Sequence, residues 1–80
     1  MGQIRQYTHE PSVSPRPKSK VDCGWSFGEF DGVELLRLAT YGSNSRKLKG
    51  KASQVIELDE KAAHELIQIV ERVFPNLKKN

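Results

Sequence analysis

The sequence predicts a small α+β domain. We expect a three- or four-stranded antiparallel sheet, in β-β-β-α order, covered on one face by a single C-terminal amphipathic helix. Three observations predict it. Asp31-Gly32 separates two strand-like stretches, a third strand-like stretch follows a basic loop, and residues 59–74 repeat apolar side chains at helical spacing. A chain of 80 residues has room for one such domain.

Residues 1–20 are predicted to be a flexible, Pro/Ser-rich tail, and residues 21–80 the folded domain. Three prolines between residues 11 and 17 remove amide donors and favour an extended chain. Residues 4–8 could add a short edge strand or stay irregular. The tail carries four basic residues and one acidic residue, a net charge of +3, whereas residues 21–80 carry nine of each sign.

After the tail, a strand is predicted over residues 25–30, which are rich in aromatic side chains. Gly28 inside it indicates either a bulge or the close approach of another backbone. Asp31-Gly32 then predicts a two-residue hairpin turn, because both central residues of a type I′ turn need positive φ. We therefore expect residues 25–30 to pair antiparallel with residues 33–41.

Residues 33–41 are the longest strand candidate, and neither of their two faces is polar. Such a strand is usually covered on both sides, or uses one side for binding. A helix is the alternative here, since VELLRLA also has helical propensity, but the turn signals on either side favour a strand. The third strand is predicted over residues 53–58. Leu36, Leu38, Ile56 and Leu58 would share one face, and Arg37, Tyr41, Val55 and Glu57 the other, with Trp25 and Phe27 beside them.

A basic loop, residues 42–52, connects the second and third strands. It lacks the GxxxxGK[ST] spacing of a phosphate-binding P-loop, and a strand follows it instead of a helix. Its long arginine and lysine side chains can contact phosphates of a nucleic acid whatever the base sequence. The candidate nucleic-acid-binding residues are Arg37 and Tyr41 on the sheet and Arg46, Lys47, Lys49 and Lys51 in the loop.

Residues 59–74 form the predicted helix, which Asp59 caps and Pro75 ends. Its apolar arc spans roughly 160°, wider than one sheet requires. We expect the spare width to support a homodimer through this helix, because a domain of this size has a marginal core.

The sequence predicts no set of catalytic residues, and we expect neither a metal nor a cofactor. Cys23, His9 and His64 are too few and too scattered for a thiol nucleophile with its base or for a zinc site. Glu29, Asp31 and Glu34 flank a tight turn, where charged residues are expected anyway. A lone cysteine and the lack of a signal peptide or a long apolar run predict a cytoplasmic protein that does not enter membranes.

The order of these elements resembles that of the small single-stranded-DNA-binding modules of the positive-cofactor-four, Pur and Whirly type. The likeness covers residues 25–74. It implies a curved sheet packed on its helix, a dimer through the helices, and nucleic acid held by basic and aromatic residues of the sheet and its loops. Those modules use four strands per repeat, so residues 4–8 would have to supply the fourth.

We therefore expect a non-catalytic module that binds single-stranded DNA or RNA with low sequence specificity. The alternative is a small protein-interaction domain, either an adaptor or an inhibitor carried by a phage or mobile element against a host complex. The over-wide helix face and the doubly apolar strand motivate this alternative. A continuous positive surface would favour nucleic acid, and a bare apolar patch would favour a protein partner.

Overall fold

A computed structural model describes residues 2–42 and 51–78 and confirms the α+β class. The helix packs against the sheet. In chain order the elements are β1 (Gly2–Gln3), β2 (Asp22–Phe30), β3 (Val33–Tyr41), β4 (Gln54–Leu58), α1 (Glu60–Val73) and a short 3-10 helix (Pro75–Lys78).

The hairpin of β2 and β3 turns at Asp31 and Gly32, as predicted. Their φ angles are 52° and 79°, which is the left-handed conformation that a type I′ turn requires. Phe30 pairs with Val33 next to the turn, and the pairing continues over all nine residues of each strand. The ladder has no bulge, so Gly28 does not mark one. The helical alternative for residues 33–41 is wrong.

The sheet has the strand order β1-β4-β3-β2. β3 is antiparallel to both of its neighbours, but β1 runs parallel to β4, which makes the sheet mixed. The fourth strand lies at Gly2–Gln3, just ahead of the expected residues 4–8, and the Ile4 amide continues the pairing with a 2.9 Å bond to the carbonyl oxygen of Glu57. A parallel pair needs a long connection between its two strands, and here the chain between β1 and β4 contains β2 and β3.

The register assigns the side chains to two faces. We call them the Leu38 face, with Leu36, Leu38, Ile56 and Leu58, and the Arg37 face, with Leu35, Arg37, Ala39, Tyr41, Val55 and Glu57. Both groupings agree with the sequence analysis for β3 and β4. The placement of Trp25 and Phe27 was wrong: they pair with Leu38 and Leu36 and so lie on the Leu38 face.

The N-terminal segment beyond β1 follows the helix. The Tyr7 hydroxyl donates a 2.8 Å hydrogen bond to the carbonyl oxygen of Ala62 in the first turn of α1. Residues between Tyr7 and Pro15 then line a groove of about 900 Å³ with Leu66, Ile69 and Val73. Part of the predicted tail therefore lies against the domain, and part of the wide apolar arc of α1 faces this segment.

Burial affects the ionisation of Tyr7. Desolvation, with smaller contributions from the negative charges of Glu65 and Asp59, raises the pKa of the phenol above its usual value near 10.0. All three effects disfavour the phenolate. The hydroxyl thus stays protonated, the form in which it can donate to Ala62.

The helix begins and ends where the sequence predicts. The Asp59 side chain accepts a 2.8 Å hydrogen bond from the Ala62 amide, so Asp59 is the N-cap. Helical residues end at Val73, just before Phe74 and Pro75. The helix contacts both β3 and β4, and Leu58, which ends β4 on the Leu38 face, is only 1% exposed.

The core is small. Among the described residues only Ala39, Leu58 and Ala62 are buried hydrophobics, whereas twelve large hydrophobic side chains are exposed. A single copy of the chain therefore leaves much apolar surface in water, and the distribution of that surface bears on function.

Candidate nucleic-acid interface

Arg37 and Tyr41, the two predicted binding residues on the sheet, both lie on the Arg37 face and are half-buried. Arg37 stands between Ser26 of β2 and Glu57 of β4. The carboxylate of Glu57 on the neighbouring strand offsets part of the positive charge at this position. Tyr41 pairs with Asp22 at the far end of the hairpin. This face therefore offers phosphates less positive charge than the sequence suggests.

A shallow groove of about 220 Å³ runs along the Arg37 face. Ser26, Gly28, Phe30, Leu35, Arg37 and Glu57 all contribute to its lining. It is smaller than the roughly 300–1,000 Å³ of ordinary small-molecule pockets. The groove does not by itself indicate a small-molecule ligand.

Positive charge collects at the end of the sheet where β2 and β4 begin and β3 ends. Lys18 and Lys20 precede β2, Lys51 precedes β4, and all three are exposed. Asp22 is the one acidic residue among the described residues 16–22, 40–42 and 51–54. Arg46, Lys47 and Lys49, the other predicted loop residues, lie outside the described residues.

Negative charge collects at the opposite end. Glu29, Asp31 and Glu34 surround the hairpin turn, and Asp59 and Glu60 follow β4 at the same end. The sheet is therefore electrically polarised along its strands. The segments before β2 and before β4 are far apart in sequence, and the observed strand register brings both to the basic end.

An exposed aromatic pair lies on the edge strand. The rings of Trp25 and Phe27 are stacked, with centroids 6.5 Å apart and planes inclined by 19°. Their side chains are 70% and 75% exposed, although they share the Leu38 face with the buried Leu58. α1 leaves this part of the face open. Aromatic planes that face water on a sheet are suited to stacking against nucleobases.

The predicted face for this aromatic pair was wrong, although the predicted hairpin turn was sufficient to assign it. Once Phe30 pairs with Val33, alternation along both strands brings Phe27 opposite Leu36 and Trp25 opposite Leu38. Counting back from the turn would have assigned the pair correctly. Its exposure could not be found in this way, because exposure depends on where α1 lies.

Of the residues considered for catalysis, Glu29 and Glu34 are direct cross-strand partners beside the hairpin turn, whereas Cys23 and His64 lie on different elements. Cys23 is a free, exposed thiol on β2, and His64 is exposed on α1. Within residues 2–42 and 51–78, no three His, Cys, Asp or Glu side chains are placed to hold a metal ion. In the same part of the chain, no helix has both the length and the apolar character needed to cross a membrane.

Comparison with protein-family models, with curated proteins and with solved structures found no match to this chain.

Proposed function

We propose that this chain is a non-catalytic module that binds single-stranded nucleic acid with low sequence specificity. The observation that carries the proposal is the stacked, exposed pair of Trp25 and Phe27 on the strand that starts at the basic end of the sheet. Bases would stack on the pair while phosphates contact Lys18, Lys20, Lys51 and the cations of the loop.

The chemistry of this arrangement favours single strands. Bases in a duplex are already stacked on each other, and their flat faces are not available to a protein side chain, whereas a single strand can splay its bases onto an aromatic surface. Stacking tolerates any base, and phosphate contacts carry no sequence information. Low specificity follows from both.

The aromatic pair gives the sharpest test. We expect Trp25→Ala and Phe27→Ala each to weaken binding of single-stranded DNA by about 1–3 kcal/mol, or roughly 5- to 150-fold. Fluorescence anisotropy with labelled single-stranded DNA, duplex DNA and RNA measures this. Phe30→Ala is the matched control, because Phe30 is 68% exposed on the same strand but on the Arg37 face. Equal effects of all three variants would contradict the proposal.

The basic residues give a second, independent readout. Affinity should fall with salt, with a logarithmic slope of about −0.7 for each phosphate neutralised on a single strand. Charge reversal of Arg46, Lys47, Lys49 and Lys51 should abolish binding while the unfolding transition persists. Binding that does not respond to salt, or no binding to any nucleic acid at low salt, would rule the proposal out.

A protein-interaction module is the second candidate, and exposed apolar side chains from the second half of α1 to the following 3-10 helix favour it. Ile67, Val73, Phe74 and Leu77 are 55–63% exposed there. Apolar side chains grouped in this way often mark a protein contact. A pull-down after nuclease treatment would then return one defined partner, which Phe74→Asp would lose and Phe30→Asp would keep.

A further inference from the structure

β2 is an edge strand, and its outer backbone is unpaired within the described chain. All of its nine residues except Gly24 are exposed. Long edge strands are normally protected by proline, by central charges or by a bulge, because free amides and carbonyls recruit other strands. From Gly24 to Gly28 this strand has none of these. The features that would block another strand are missing from its centre.

The central five residues of β2, Gly24 to Gly28, are symmetric in residue type about its midpoint, Ser26. Reading outwards in both directions gives an aromatic residue at Trp25 and Phe27, then a glycine at Gly24 and Gly28. We propose that β2 pairs antiparallel with β2 of a second copy, with the two-fold axis at Ser26. Each residue then lies opposite the one equally far on the other side of Ser26, and all nine positions overlap.

The backbone alternation of β2 fits this pairing. Next to a two-residue turn, Phe30 and Val33 exchange both backbone hydrogen bonds, and the direction of the amides alternates from there. The amides and carbonyls of Cys23, Trp25, Phe27 and Glu29 therefore point to the open edge. The Ser26-centred register places these groups opposite one another, so that Trp25 exchanges bonds with Phe27 of the second copy.

The side chains fit as well. Trp25 and Phe27 of both copies would meet on the Leu38 face as cross-strand aromatic pairs. Gly28 is otherwise unexplained, since its φ is not positive and a Cβ there would meet nothing within 4 Å. Glycine inside a strand often marks the close approach of another backbone. In the proposed dimer that backbone belongs to the second copy, where Gly24 faces Gly28.

The charges at the two ends of the sheet favour the same antiparallel pairing of β2 with β2. Antiparallel pairing brings the basic end of each sheet beside the acidic end of the other. Lys18 and Lys20, which precede β2, come next to the hairpin turn of the second copy with its Glu29 and Asp31, and these two cations outnumber Asp22, which lies opposite Phe30 of the second copy. A parallel pairing would place like charges together instead. Opposite-charge contacts at both ends thus favour the two-fold arrangement.

The first test is Ser26→Glu, measured as the sedimentation mass over a concentration series without nucleic acid. In one copy the new carboxylate stands beside Arg37, which is favourable. In the dimer this carboxylate faces the same carboxylate of the second copy across the two-fold axis, and the two negative charges repel each other. Wild type should reach twice the 9.1 kDa chain mass, and Ser26→Glu should remain at 9.1 kDa. Ser53→Glu, an exposed serine just before β4, is the matched control and should dimerise.

The second test fixes the register by cross-linking. At the axis, the two Ser26 Cα atoms should lie about 4.5 Å apart, within the range that a disulfide spans. Ser26→Cys in a Cys23→Ser background should therefore form a covalent dimer on oxidation. Native Cys23 should not, because it lies opposite Glu29 of the second copy and about 20 Å from its own counterpart.

Several results would overturn the proposal. A wild-type chain that stays monomeric at every concentration would do so, as would efficient cross-linking through Cys23 but not through Ser26→Cys. A dimer that Phe74→Asp dissociates and Ser26→Glu does not would assign the contact to the helix. The dimer and the proposed binding function both use Trp25, Phe27, Lys18 and Lys20, but none of these measurements involves nucleic acid, so failure of the dimer is distinguished from failure of nucleic-acid binding.

Discussion

Tyr7 links the N-terminal segment to the helix through a single hydrogen bond of 2.8 Å to Ala62. We expect Tyr7→Phe to lower the free energy of unfolding by about 1 kcal/mol, since a hydrogen bond of this kind is worth roughly 0.5–1.5 kcal/mol. Urea titration followed by circular dichroism measures it. Tyr41→Phe is the control, because Tyr41 is half-buried at the end of β3. A larger loss in the control would contradict the assigned role.

The same residue predicts a pH dependence. Burial and the nearby carboxylates raise the pKa of Tyr7 in the folded chain above the value near 10.0 in the unfolded chain. The folded state therefore retains the proton more strongly, and this part of the stability is present below pH ~10 and is lost as pH rises through the raised pKa. Unfolding measured at pH 8 and above pH 10 should show a smaller alkaline loss for Tyr7→Phe than for wild type. Equal losses would exclude this contribution.

Both ends of the helix can be predicted from residues close to them in the sequence. Asp59, the apolar periodicity and Pro75 fix both of its ends without help from the rest of the chain, and the observed bounds agree with the prediction. The hairpin is equally local, because Asp31 and Gly32 adopt the positive φ that their turn type requires. β1 is different, since its two residues become a strand only through pairing with β4. No local pattern could have given its parallel direction.

The N-cap of α1 stabilises the helix through one side-chain hydrogen bond. Asp59→Ala should cost about 1 kcal/mol of stability, because the Ala62 amide loses its acceptor at the start of α1. Asp59→Asn keeps an acceptor oxygen and should retain most of that stability. Chemical denaturation of wild type, Asp59→Ala and Asp59→Asn measures the three free energies of unfolding. Equal losses in both variants would assign the effect to the charge of Asp59 instead of its hydrogen bond.

At the scale of the whole molecule, the predicted tail takes part in the fold. β1 pairs with β4, and the segment after it lies along α1. We expect removal of residues 1–8 to destabilise the domain more than Tyr7→Phe does, because it also removes the β1 pairing. Each kcal/mol lost lowers the melting temperature of a chain this size by roughly 4–8 °C.

The control for this truncation replaces residues 16–20 with a Gly/Ser segment of equal length. It removes three exposed cations ahead of β2 but leaves β1 and Tyr7 in place. Differential scanning calorimetry should show a melting temperature close to that of wild type for the replacement and a clear drop for the truncation. A truncated chain that melts like wild type would mean that the N-terminal segment does not stabilise the fold.

The α+β class, the hairpin, the helix with its caps and the segregation of charge could all be predicted from the sequence. Each depends on neighbours within a few residues or on simple counting along the chain. Three features became visible only in the folded chain: β1 completes the sheet, the N-terminal segment lies along α1, and Trp25 and Phe27 face water. These depend on which distant segments compete for the same apolar surface. α1 leaves the β2 side open, and the open edge and its aromatic pair are where we locate function.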